Sequence, residues 1–141
     1  MMKWKKRSLP VPFFAVIRHE ERADTLTALT DGQAWTQSED FAKWPLDPPL
    51  SDVGLLKAPK IGARLQAVAQ ACGSSLHVVV SSPFLRCIQT AIEICKVLGP
   101  DVRMLVDYSL CEVYGPTIMG EIEPVVTTRP MSEIQALCAE H

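Results

Sequence analysis

An α/β domain with a largely parallel sheet is the fold class that this sequence predicts. Three observations carry the prediction. Short β-rich apolar runs recur at residues 13–17, 76–82 and 101–107. Segments with helical spacing of apolar residues separate the later runs, giving the strand–helix–strand order of parallel sheets with right-handed crossovers. The first run, Phe-Phe-Ala-Val-Ile, would be apolar on both faces, as the middle strand of such a sheet is.

Each element has its own local signal. Residues 1–10 read as a tail, and the basic stretch Lys-Trp-Lys-Lys-Arg within them reads as a solvated charge cluster. The apolar stretch 9–17 is long enough for the core of a secretory signal. It carries two prolines, and charges follow it where a small-residue cleavage site would stand, so export is not expected. Residues 13–17 are the first predicted strand. Residues 21–50 show no sustained period. They are too long for a plain loop, which predicts a short helix or a functional excursion, with Trp35 and Trp44 as packing anchors.

Ser51 is a good N-cap and Asp52 suits a first helical turn. Leu55, Ala58, Gly62, Leu65, Ala69 and Cys72 then recur at helical spacing up to a stop at Gly73. Pro59 inside that pattern predicts a kink or a delayed start. After the second strand, Leu85, Ile88, Ile92, Cys95 and Leu98 share a helical face, and Gly99 ends it. Val102, Met104 and Val106 alternate in the third strand. Ser132 and Gln135 form a capping box for a last short helix.

At 141 residues, one domain is expected, with 1–10 as a tail and 11–141 as the folded unit. The net charge of −2 excludes a general bias toward nucleic acid, and no apolar stretch is long enough for a membrane span. Five cysteines without a C-x-x-C pair read as reduced thiols, which predicts a cytoplasmic protein. Neither a metal nor a cofactor is predicted. The oligomeric state stays open.

The chemistry concentrates where strands end. Arg-His-Glu-Glu-Arg, residues 18–22, follows the first predicted strand, and Ser-Ser-Pro-Phe-Leu-Arg, residues 81–86, closes the second. In open α/β sheets, ligands bind outside the carboxyl ends of the strands. Arg18, Arg22 and Arg86 can converge there, and three guanidinium groups in one pocket call for an anion. A phosphoryl group fits best, because its oxygens match arginine forks and the N-terminus of the following helix adds donors. Beside such an anion, a neutral nitrogen of His19 can act as nucleophile on phosphorus, and Glu112 can protonate the leaving oxygen. Each residue also has a plain reading: Arg22 paired with Asp24 or Glu21, Arg86 capping a helix, Glu112 in solvent. The ordered set outweighs those readings taken singly.

In that order, the motifs Val-Ile-Arg-His-Glu-Glu-Arg, Asp-Pro-Pro-Leu-Ser-Asp-Val-Gly, Val-Val-Ser-Ser-Pro-Phe-Leu-Arg-Cys-Ile-Gln-Thr-Ala and Leu-Cys-Glu-Val-Tyr-Gly-Pro resemble those of the histidine phosphatase superfamily, the phosphoglycerate-mutase-like proteins. They are most similar to the phosphatase domains of suppressor-of-T-cell-receptor-signalling proteins and their protist relatives. The resemblance implies a three-layer α/β/α sandwich with a mainly parallel sheet. It implies phosphomonoester hydrolysis through a phosphohistidine on His19, phosphate binding by Arg18, Arg22 and Arg86, and Glu112 as proton donor, without metal. Two departures stand out. Glu20 occupies the position of a glycine, so its carboxylate either turns outward or repels the substrate. The family's second pocket histidine has no counterpart either, because His77 precedes the second strand and His141 is the last residue. The domain is therefore expected to be incomplete at its C-terminus. A phosphate-binding or scaffolding relative with impaired turnover is the alternative, with a phosphoglycerate-type mutase behind both. The substrate class stays open among phosphotyrosine, sugar phosphate and steroid phosphate.

Overall fold

A computed structural model describes residues 12–25, 27–112 and 128–139. The expected basic tail, the Tyr114, Gly115 and Pro116 of the last motif, and His141 lie outside these residues. Strands β1 (Val78–Ser81) and β2 (Arg103–Val106) pair in parallel, from Val78 opposite Arg103 to Ser81 opposite Val106. The connection between them is helix α3 (Leu85–Leu98), which packs back onto both strands. Strand alternation sorts the side chains. Met104 and Val106 pack with Leu137 and Cys138 on a buried cluster of Ile88, Ile92 and Ile134, while Val78, Val80 and Leu105 are exposed. Ile134 and its neighbours belong to the last helix, Met131–Ala139, here α4 by chain order. Among the described residues, helices cover this one face of a parallel sheet, as an α/β fold of the predicted class requires.

The other helices are α1 (Glu39–Lys43) and α2 (Asp52–Ala71). Helix α2 starts where its sequence says. Ser51 is the N-cap, and its hydroxyl accepts the Gly54 N–H at 3.0 Å. No delay to Pro59 occurs: the helix runs through it without interruption. Proline removes only one helical hydrogen bond there, and packing of a buried stripe of Ala58, Gly62 and Ala69 offsets the loss. Gly62 lies against Ile94 and Val97 of α3, so closely that a Cβ would sit 3.0 Å from that of Val97. At the far end, the Ser74 N–H reaches the Ala69 carbonyl and the Gly73 N–H that of Gln70, both at 2.9 Å. Gly73 has φ of 68°, which completes a Schellman stop.

Two further expectations need correction. Residues 13–17 do not form a strand: among the described residues no β-bridge or backbone hydrogen bond engages them, and Val16 is 91% exposed. An apolar run predicts a buried strand, but a strand also needs a ladder partner, and the edge of β1 that no described residue pairs lies across a cavity from this run. The capping box is also displaced. Helix α4 begins at Met131, so Ser132 lies inside it, and the Pro130 carbonyl accepts the N–H groups of Glu133 and Ile134 at 3.0 and 3.2 Å.

The irregular stretch does contain short helices, a 3-10 turn at Trp35–Gln37 followed by α1. Its tryptophans are packing anchors. Trp35 is buried, meets Phe41 edge to face at 5.1 Å and donates its indole N–H to Asp40 at 2.8 Å. Trp44 lies beneath the Arg129 guanidinium at 5.7 Å.

Candidate active site

Two backbone junctions hold the site's first segment in place. The Ala23 N–H donates to the Pro49 carbonyl and the Ser51 N–H to the Glu21 carbonyl, both at 2.9 Å. Arg22 and Leu50 form an antiparallel bridge. The stretch 47–51 thus acts as a strap under residues 18–23. Its other edge reaches α3: the Leu50 N–H donates to Gln89 and the Leu85 N–H to Asp47, both at 2.7 Å. Gly54 completes the strap, since a Cβ there would collide with the Glu21 carbonyl.

A cavity of about 660 Å³ opens between residues 13–19 and the β1–α3 unit. Arg18, His19, Arg22, Arg86 and Glu112 all line it. Arg86 comes from the first turn of α3, past the carboxyl end of β1. Glu112 follows a 3-10 turn (Tyr108–Leu110) past the carboxyl end of β2. Because β1 and β2 are parallel, both residues emerge at the same end of the sheet. Arg18, His19 and Arg22 enter from an extended loop instead of a strand end.

The electrostatics of the site can be followed atom by atom. Arg86 is 2% exposed, stacks over Phe84 at 4.4 Å and donates through Nη2 to Glu112 at 2.8 Å. Its Nε and Nη1 have no hydrogen-bond partner among the described residues, although Nη1 lies 3.8 Å from Asp47. Buried guanidinium donors without acceptors are suited to an anion. Arg22 is gripped by both carboxylate oxygens of Asp24, as its plain reading foresaw, and still lines the cavity. The His19 Nδ1–H donates to the Glu20 carbonyl at 2.7 Å, which leaves Nε2 as the nitrogen with a free lone pair in the neutral ring. Burial lowers the His19 pKa, and the charges of Arg86, Arg18 and Arg22 lower it further against the opposing Glu20 hydrogen bond. The ring is therefore neutral at neutral pH. The Glu20 side chain is not among those lining the cavity, in keeping with the outward reading. Cys87 lines the cavity too, but burial raises its pKa and keeps it a thiol. His77 is exposed, next to Ser75, and does not line the cavity.

Sequence reasoning missed Asp47 and Arg129. Asp47, 1% exposed, accepts from the Arg129 Nε at 3.0 Å, and Arg129 also binds Glu133 at 2.7 Å and Asp40 at 2.8 Å. Burial alone would lower the Arg129 pKa, but these carboxylates outweigh it and raise it. Burial pushes the Asp47 carboxyl up, and its hydrogen bonds and the two arginines pull against that. Asp47 had a visible signal, a lone acid in a proline-rich stretch leading to an N-cap. Arg129 had none, because Asp47 and Asp40 lie far away in the chain and only Glu133 is near. Among the described residues, no group of three or more His, Cys, Asp and Glu side chains is placed to hold a metal ion. No helix among them is long and apolar enough to cross a membrane.

The model of the histidine phosphatase superfamily (branch 1) matches residues 31–134. No curated protein matches the chain. Among solved structures, the ecdysone phosphate phosphatase from Bombix mori, in complex with tungstate, is similar in fold. It is 18% identical with a TM-score of 0.50, over 85% of this chain and 61% of that one. The chain thus spans less than two thirds of that neighbour's length.

Proposed function

Since the chain belongs to the histidine phosphatase superfamily (branch 1), we propose that it is a phosphomonoester hydrolase acting through a phosphohistidine on His19. The observation that carries this reading is the neutral His19 ring, its Nδ1–H tied to the Glu20 carbonyl, in one cavity with the buried Arg86. The Nε2 lone pair attacks phosphorus as the bond to the leaving oxygen breaks. Glu112 supplies the proton that this oxygen needs. Water then attacks the phosphohistidine, Glu112 takes a proton from it, and phosphate leaves with His19 neutral again. Arg18, Arg22 and Arg86 hold the phosphoryl oxygens throughout. Glu112 is paired with Arg86 in this structure, so it must release the guanidinium and take up a proton as the phosphoryl group arrives. A cytoplasmic location is part of the reading and accords with the unbridged cysteines.

A second reading, an anion-binding relative with little turnover, is favoured by one observation. His19 is the single histidine among the described residues that line the cavity, whereas the resemblance implies two. Lacking one preorganised donor costs about 100- to 1,000-fold in rate. Slow hydrolysis is therefore expected of this chain. The test is hydrolysis of para-nitrophenyl phosphate by the chain and by His19→Ala. Slow turnover that disappears in the variant supports the hydrolase. Equal residual rates in both transfer the conclusion to the binding relative.

A further inference from the structure

Arg86 owes its place to the first turn of α3, and that turn has an unusual cap. Its N-cap residue, Phe84, offers no side-chain hydrogen bond. The acceptor for the Leu85 N–H is instead the Asp47 Oδ1, at 2.7 Å, from 38 residues upstream. The same oxygen lies 3.8 Å from the Arg86 Nη1, and Arg129 holds the other carboxylate oxygen at 3.0 Å. Asp47 is thus fixed on both sides. Its Oδ1 both caps the start of α3 and faces the guanidinium that this turn carries, while its Oδ2 is anchored by Arg129.

We infer that Asp47 is a positioning residue for Arg86, aligning the guanidinium with the anion pocket by capping α3 from the strap. This rests on the reading of the cavity as a phosphoryl site. Charge alone argues the other way. A carboxylate this close to an anion site repels the anion, so its removal should tighten binding. The positioning role makes the opposite forecast and is therefore separable from both charge and general stability.

The experiment is a calorimetric titration of the whole chain with sulfate, a dianion across the working pH range, alongside urea unfolding of each variant. Asp47→Ala is expected to bind sulfate about tenfold more weakly, the scale of one impaired charge-assisted contact. Asp47→Asn keeps an oxygen for the Leu85 N–H while disturbing the contact with Arg129. It should lose stability yet bind sulfate at least as well as the wild type. Leu85→Pro breaks the same bond from the other side. Proline is suited to a first helical position, and the extended Phe84, with ψ of 137°, suits a residue before proline. Sulfate binding should weaken in Leu85→Pro as well, which keeps the test decisive if Asp47→Ala does not fold. Unchanged or tighter sulfate binding in a folded Asp47→Ala or Leu85→Pro overturns the inference. Arg86→Ala separates the two levels. If it binds sulfate as the wild type does, the anion-site reading itself fails. If it binds weakly while Asp47→Ala binds normally, only the positioning role fails.

Discussion

At the scale of single residues, the cavity is a contest between carboxylates and the anion for the same guanidinium groups. Glu112 holds the Arg86 Nη2 at 2.8 Å, with its own side chain half exposed. A phosphoryl oxygen seeking that nitrogen must displace it. Glu112→Gln is therefore expected to tighten sulfate or vanadate binding by about three- to tenfold, as removal of a competing ion pair allows, while lowering the hydrolysis rate. Isothermal titration and an aryl phosphate assay would show the two effects moving in opposite directions. The network behind the site is structural. Removing Arg129 strands the buried carboxylate of Asp47, so Arg129→Ala should lose about 3–5 kcal/mol in urea unfolding. His19, the three arginines and Glu112 were legible in the sequence as candidates, and the structure brings them to one cavity. Arg129 was not, because its contact with Asp47 spans 82 residues of chain, and Asp47 showed only as a lone acid in a proline-rich stretch.

Among the elements, the strap at residues 47–51 carries most weight, since it ties the His19 loop to α3 through backbone hydrogen bonds on one edge and backbone-to-side-chain hydrogen bonds on the other. Gly54 lets α2 approach that loop. A Cβ there meets the Glu21 carbonyl, and a rigid backbone oxygen cannot swing away as a flexible side chain does. Gly54→Ala is expected to cost about 1–3 kcal/mol of stability, typical of overpacking, and to weaken anion binding by shifting residues 18–22. Chemical denaturation and sulfate titration of the variant measure both. Helices α2 and α3 were legible from Ser51, Gly73, Gly99 and the apolar spacing, because these signals are local. The run at 13–17 departs from its expectation because apolar composition neither ensures burial, with residues 14–17 exposed here, nor says which edge will supply a ladder.

For the molecule as a whole, the site joins three parts: the His19 loop, which the strap ties to α3, the head of α3, and the Glu112 turn, which meets α3 through Arg86. An anion that bridges them stabilises the folded chain by mass action, about 2.7 kcal/mol at a concentration one hundred times its Kd. Thermal unfolding with and without vanadate should show the gain in the wild type and little of it in Arg86→Ala. The α/β class and its parallel pairing were legible from the order of the runs, since topology follows from alternation of periods. The central claim concerns the nucleophile, and the most direct measurement is capture of the phosphoenzyme. The chain is mixed with an aryl phosphate, quenched in alkali, where phosphohistidine survives, and mapped by mass spectrometry across a pH series. The expected result is a phosphoryl group on His19 that is absent from His19→Ala. Its formation rate should stay level down to a pH below the ordinary histidine value of 6.5, because burial and the neighbouring arginines keep the ring neutral there. A phosphoryl group on another residue, or aryl phosphate turnover unchanged in His19→Ala, would contradict the claim.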